Sequence, residues 1–251
     1  DRNNESAKHM LASITADATV ERASNTYVTA LFDEYAKNFE KSLVTDLGYN
    51  GFERLRFGFD RAFGGSSNVP SFAKVVDAGC GTGLVGEQFR NVSDYLVGVD
   101  LSQAIIDEAQ IARPNLYDET HAGDIIQVFR QMKPISLIIA ADSYIYFGDL
   151  VPLFKSMEEG LDDEGGMLAF TLENVSEENE ESLQATTPDW RWQLTPSGRF
   201  AHRKSYVETV ATQHSLEVIH YEPLDDFRFE NGIGVRGHMF VMKKKKNTNN
   251  E

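Results

Sequence analysis

One stretch constrains this chain more than any other: Val75-Val76-Asp77-Ala78-Gly79-Cys80-Gly81-Thr82-Gly83. The β-branched pair at its start predicts a strand. Three glycines at alternating positions let the backbone turn tightly and present bare main-chain N–H groups at the start of a helix, which runs to about Arg90. A strand that turns directly into a helix in this way is the opening unit of a parallel sheet.

The unit then repeats. Tyr95–Val99 reads as a second strand ending at Asp100, and Ser102 caps the next helix. A short strand precedes Ala122-Gly123-Asp124. The apolar run Ile135–Ala141 suits a strand buried on both faces. A helix near Val151–Gly160, a strand near Met167–Leu172, a helix at Lys204–Gln213 and strands at Leu216–Tyr221 and His238–Met242 follow. The last two strands have no long helix between them, which predicts an antiparallel edge. Alternation of this kind implies an α/β fold with a mostly parallel sheet and helices on both faces.

Upstream, Val28, Phe32, Tyr35, Phe39 and Leu43 recur at spacings of three and four, with Tyr27 and Leu31 widening the face. They predict one helix, capped by Ser24 or Asn25 and stopped by Gly48. The expected organisation is a disordered segment over 1–22, a helical cap over 23–70 ending in a Gly/Ser/Pro-rich hinge, the main domain over 71–246 with an irregular lid-like insertion at 173–202, and a tail over 247–251.

The formal net charge of −15 opposes a nucleic-acid substrate. The one basic run, Lys243 to Lys246, reads as a solvated tail after the last strand. No apolar run approaches the roughly 18 residues of a membrane span. Cys80 is the only cysteine in 251 residues, so no intrachain disulfide forms, and a reducing intracellular compartment, cytoplasmic or organellar, is the expectation. The chain opens on Asp1 rather than Met, and the expectation is that upstream residues, with any targeting segment, are missing. Nothing in the sequence fixes the oligomeric state.

Gly81, Gly83 and Gly86 also satisfy the G-x-G-x-x-G pattern of dinucleotide sites. Asp77 argues against a diphosphate, because a carboxylate at the strand's end repels phosphate and suits a cationic ammonium. Asp100, at the end of the second strand, can accept both ribose hydroxyls of a nucleoside. Asp124 can take an adenine amino group or cap a helix, and the residues alone leave both open.

Together, Asp77–Gly83, Gly98-Val99-Asp100-Leu101-Ser102, Ala122-Gly123-Asp124-Ile125 and Leu137-Ile138-Ile139-Ala140-Ala141-Asp142 resemble the successive motifs of class I S-adenosylmethionine (SAM)-dependent methyltransferases. The likeness covers about 70–243 and implies a Rossmann-like, seven-stranded sheet with a reversed last strand. Tyr27–Phe39, Tyr146-Phe-Gly-Asp-Leu150 and Ser197-Gly-Arg-Phe-Ala-His202 are similar to a small-molecule branch often fused to tetratricopeptide repeats, although no repeats are present.

By that resemblance SAM, leaving as S-adenosylhomocysteine (SAH), lies across the carboxyl ends of the strands. Gly79, Gly81 and Gly83 pass under its methionine and ribose, and Asp77 faces its ammonium. Asp100 holds the ribose beside Leu101 and Ser102, and Asp124 and Ile125 frame adenine. Tyr27 and Tyr35 close the N-terminal helix over it, with ordinary core packing the competing role for both. Ala141 and Asp142 lie where the reactive methyl points.

Methyl transfer from a sulfonium is an in-line displacement that needs alignment, exclusion of water and, for OH or NH nucleophiles, a proton acceptor. Asp142, Tyr146 and His202 are the candidate catalytic residues, although a lone histidine is more often structural. A thioether nucleophile needs no base. Tyr144, Tyr146, Trp190, Arg199, Phe200 and His202 are the candidate substrate contacts. Trp192 and Phe147 add aromatic surface suited to a sulfonium product. Arg199 can grip a substrate carboxylate or form a surface ion pair. The expected substrate is a small molecule, and a methylthio-hydroxy acid of the methylthiohydroxybutyrate type, S-methylated to a sulfonium osmolyte precursor, is the specific expectation. O- or N-methylation of a small carboxylic acid is its alternative. A nicotinamide-dependent oxidoreductase and a non-catalytic SAM-fold binding partner are the competing classes. No metal ligands, membrane contacts or nucleic-acid contacts are expected.

Overall fold

The computed structural model describes residues 4–230 and 232–246. Its sheet is built on β1 (Val75–Ala78), β2 (Leu96–Asp100), β3 (Glu119–Ala122), β4 (Leu137–Ala140), β5 (Met167–Glu173), β8 (Leu216–Leu224) and β11 (Gly237–Lys244). These seven lie in the order β3-β2-β1-β4-β5-β11-β8. The first five are mutually parallel, and β11 is antiparallel to both its neighbours.

The expected α/β class, mostly parallel sheet and reversed last strand are all present. The reversed strand is not an edge, however. It is threaded between β5 and β8, and its hydrophobicity explains why. The run Met239-Phe-Val-Met242 is buried on both faces, as an interior strand requires. In β8, the side chains of Glu217, Ile219 and Pro223 are exposed, as an outer strand tolerates.

Helices α4 (Leu84–Phe89), α5 (Gln103–Ala112), α6 (Ile125–Gln131), α7 (Val151–Gly160) and α9 (Lys204–Gln213) flank the sheet. Two apolar cores lie on its two faces. One gathers Phe129, Phe154, Phe170 and Phe240, and the other Leu55, Phe59, Phe89 and Leu137, all fully or almost fully buried. Each such side chain contributes roughly 1.5–3 kcal/mol through burial.

The N-terminal segment departs from expectation. Residues 5–14 form helix α1 (Glu5–Ile14), which buries His9 and Ser13 rather than fraying. The long helix expected from Val28 to Gly48 is broken. α2 (Asn25–Tyr35), capped by Ser24, gives way to a tight turn at 36–38 and then to a wide helical turn over Lys41–Asp46. The following helix α3 (Gly51–Ala62) escaped the sequence reading, although Phe52, Leu55, Phe59 and Ala62 carry a helical spacing.

The insertion at 173–202 is regular. Helix α8 (Glu177–Thr186) precedes a hairpin of β6 (Trp192–Leu194) and β7 (Phe200–His202), and β7 joins the sheet beside β5 through Glu173 and Ala201. A second hairpin, β9 (Phe229–Glu230) with β10 (Ile233–Gly234), interrupts the path from β8 to β11. The basic run is also not wholly a tail. β11 extends through Lys244, whose buried ammonium donates to the Leu161 carbonyl at 3.1 Å and to Asp163 at 2.7 Å. The expected tail at 247–251 lies outside the described residues.

Candidate functional site

A pocket of 1010 Å³, including its open mouth, lies beyond the carboxyl ends of β1, β2, β3 and β4. The cap forms its roof. Glycine is required on its floor, because Gly79 and Gly81 both take positive φ, +77° and +52°. A Cβ on Gly79 would meet Ser143 at 2.4 Å.

Asp100 is the best-organised polar group on this floor. Its Oδ2 accepts from the Gly81 amide at 3.0 Å, and its Oδ1 accepts from the Ser102 amide at 3.0 Å. Burial raises its pKa, and the Ser102 and Gly81 amides oppose that rise. The turn and the carboxylate therefore fix one another. Leu101, Ile125, Ala141 and Asp124 also line the pocket. Asp124 caps α6 through the Ile126 amide at 3.1 Å, and it also lines the pocket. Its Oδ2 accepts from Arg22 at 2.9 Å, just ahead of the cap, and from Asn25 at 3.1 Å, in the first turn of α2.

Several expectations fail on geometry. Asp77 does not face the pocket. It is fully buried behind the turn, where the Tyr117 hydroxyl donates to it at 2.7 Å. Burial lifts its carboxyl to about 7, against the opposing hydrogen bond from Tyr117. Gly83 is likewise turned away, and a Cβ there would meet Leu116 at 2.8 Å. Gly86 is a glycine because the Tyr117 hydroxyl would lie 2.6 Å from any Cβ, not because a phosphate approaches it. Ser102 caps α5 through the Ile105 amide and donates to Asp33 instead of lining the pocket.

The two cap tyrosines also miss. Tyr35, the last residue of α2, is 48% exposed, because the chain tightens there and turns Ala36 inward instead. Tyr27 is buried against α1, stacked on His9 with centroids 4.3 Å apart, and its hydroxyl meets the Met10 sulfur at 3.8 Å. It fastens the cap to α1 rather than covering the pocket.

On the β4–β5 side, Ala141, Asp142, Tyr146 and Arg199 all line the pocket. Asp142 holds a positive φ of +57° and is ion-paired to Arg228, a fully buried guanidinium that also bridges to Glu173. Arg199 is paired with Glu230 and lies 3.9 Å from Glu173. Tyr146 is buried, and burial raises its phenol above the usual value, which keeps it protonated.

The remaining substrate candidates belong to the interior. Tyr144 is in the core beside Phe170, Trp190 packs with Val175, Ala201 and Leu183, and Phe200 is fully buried. His202 is also fully buried, with Nε2 against the Gly148 carbonyl at 3.2 Å, and desolvation holds its pKa down to about 3. Its imidazole is neutral and does not line the pocket. Sequence reasoning missed Phe39, Leu43 and Tyr49 as pocket residues. For the first two the helical stripe was the signal, without any indication of what it faced.

Among the described residues, no group of three or more His, Cys, Asp or Glu could hold a metal ion, and no helix is long and apolar enough to cross a membrane.

Comparison with known proteins agrees with this architecture. The chain aligns with magnesium protoporphyrin IX methyltransferase (ChlM) from Synechocystis PCC 6803, crystallised with SAH, at a TM-score of 0.61 and 14% identity, covering 88% of this chain and 99% of that one. The N-methyltransferase NodS from Bradyrhizobium japonicum WM9, also with SAH, aligns at 0.61 and 18% identity over 87% and 99%. The [4+2]-cyclase SpnF aligns at 0.64 and 13% identity over 89% and 97%. The fold is thus that of class I SAM-dependent methyltransferases. At the sequence level, an 18S rRNA (guanine-N(7))-methyltransferase from Bos taurus is 42% identical over 52 residues, which is 21% of this chain and 16% of that protein. No family model matches.

Proposed function

We propose that the pocket binds SAM and that the protein methylates a small molecule. The observation that carries this reading is Asp100, anchored by the amides of Gly81 and Ser102 at the rim of β2, where its remaining lone pairs can accept the two ribose hydroxyls of a nucleoside. Asp124 and Ile125 would meet adenine, and the Gly79–Gly81 turn would pass under the methionine end. Structural neighbours crystallised with SAH support SAM as the cofactor. SpnF, a cyclase, warns that the fold alone does not determine the reaction.

For the acceptor we propose a thioether, of the methylthio-hydroxy acid type, converted to a sulfonium. Two features support it. His202 is buried and Tyr146 stays protonated, so neither offers a base, and a thioether has no proton to lose. Arg199 borders the pocket, where a substrate carboxylate could exchange with Glu230 for its guanidinium. O- or N-methylation of a small acid is the second reading, favoured by Asp142, whose carboxylate borders the pocket and could accept a hydrogen bond. The net charge of −15 weighs against an RNA acceptor.

Calorimetry tests the first step. SAH binding without NAD binding supports the proposal, and NAD binding without SAH binding rejects it in favour of an oxidoreductase. SAH release from a panel of thioethers, amines and small acids then assigns the acceptor atom.

A further inference from the structure

Two large aromatic side chains, Phe32 and Phe39, stand in the cap only partly buried, although a hydrophobic core would have covered them. Both border the pocket, as does Tyr146. The ring centroids of Phe32 and Phe39 are 5.8 Å apart with planes at 67°, and those of Phe32 and Tyr146 are 5.7 Å apart with planes at 83°. Steep angles at such short separations make walls, not a stack. Phe39 also reaches the glycine turn, where its ring edge lies 3.2 Å from the position a Cβ on Gly81 would take.

The charges around these rings favour a cation. Arg22 is paired with Asp124, Arg228 with Asp142 and Arg199 with Glu230, which leaves Asp100, held only by backbone amides, as the bordering carboxylate without a cationic partner. An aromatic face attracts an organic cation within about 6 Å, most strongly where water is excluded.

We propose that Phe32, Phe39 and Tyr146 form an aromatic cage for a methylated onium centre. This rests on reading the pocket as a SAM site. Two sources would present that chemistry, the sulfonium of SAM and an onium product. In transfer to a thioether or tertiary amine, the methyl–sulfur bond of SAM breaks as the new bond to sulfur or nitrogen forms. The electron pair of the broken bond stays on the cofactor sulfur, which leaves as the neutral thioether of SAH. The positive charge passes to the acceptor with no proton released. A cage that holds the cation on both sides of the transfer needs no base beside it.

The test uses the whole chain and two matched pairs of probes. SAM against SAH reports the cofactor's sulfonium. Choline against 3,3-dimethyl-1-butanol, titrated into SAH-loaded protein, reports an onium centre on the acceptor side with shape held constant. Wild type should prefer the cation in at least one pair by about threefold or more. Phe39→Leu, which keeps an apolar side chain and removes the ring, should abolish that preference, read as the affinity ratio within each pair whatever the change in absolute affinity, and Phe39→Trp should keep it. Preference in the first pair alone assigns the cage to the cofactor, and in the second alone to the product. Equal binding within both pairs by a wild type that binds SAH overturns the cage, as does an unchanged preference in both Phe39→Leu and Phe32→Leu. Failure of wild type to bind SAH at all overturns the SAM reading, and the cage with it.

Discussion

The hydroxyl of Tyr117 donates to Asp77 at 2.7 Å across 40 residues of sequence, and this contact sits behind the glycine turn, not inside the pocket. The ring of Tyr117 fills the space left by two missing side chains, Gly86 and Gly98, and so braces the turn against β2.

A pH dependence of stability follows from this pair. Asp77 holds its proton to about 7 in the folded protein, against 3.8 as the ordinary value. The folded state therefore binds more protons than the unfolded state between those limits, so its stability falls as pH rises through that window and is flat above it. Asp77→Asn should remove this component, seen as a shallower decline in melting temperature between about pH 4 and 7 than in wild type. Tyr117→Phe removes an opposing hydrogen bond and should extend the decline above pH 7. Identical profiles for wild type and Asp77→Asn would refute the assignment.

Asp100→Ala should weaken SAH binding by about tenfold or more, because it removes both the proposed ribose acceptor and the anchor of the Gly81 amide. Calorimetry on a variant whose circular dichroism matches wild type provides the check. Unchanged affinity would exclude Asp100 from the ribose role.

Arg228 joins Asp142 to Glu173 at full burial, and removing one partner leaves uncompensated charge inside the protein. Arg228→Met should cost about 3–5 kcal/mol of unfolding free energy. Adding Asp142→Asn and Glu173→Gln should restore much of that loss, measured by urea denaturation. Independent, additive effects of the three substitutions would show that the network is not coupled.

His202→Phe should lower the melting temperature yet leave kcat within about twofold, since the imidazole is buried and neutral. Loss of the neutral limb of the pH–rate profile in this variant would reinstate His202 as a base.

Much of the architecture was legible in local pattern. The β-branched strands, the glycine turn and the acids at the ends of β2 and β3 declared themselves because each depends on a few adjacent residues. Helix α1, the break after Tyr35 and the order of the last three strands were not legible, because each depends on a partner distant in the chain. His9 is buried where the Gly198 carbonyl, on the β6–β7 turn, lies 2.7 Å from its Nε2 and Tyr27 stacks on its ring.

The candidate site divides along the same line. Residue type and spacing determined that a ligand could approach a bare turn flanked by carboxylates, and Gly79, Gly81, Asp100, Asp124 and Asp142 all border the pocket. Only the tertiary structure decided which side chains face it. Asp77, Tyr27 and His202 have the right chemistry and the wrong direction, while Arg22 and Tyr49 border it with no motif to mark them and Phe39 borders it from a helical stripe that did not show what it faced. The physical reason is that backbone conformation is encoded over a few neighbouring residues, whereas the facing of a side chain is settled by packing against whatever the fold brings opposite it.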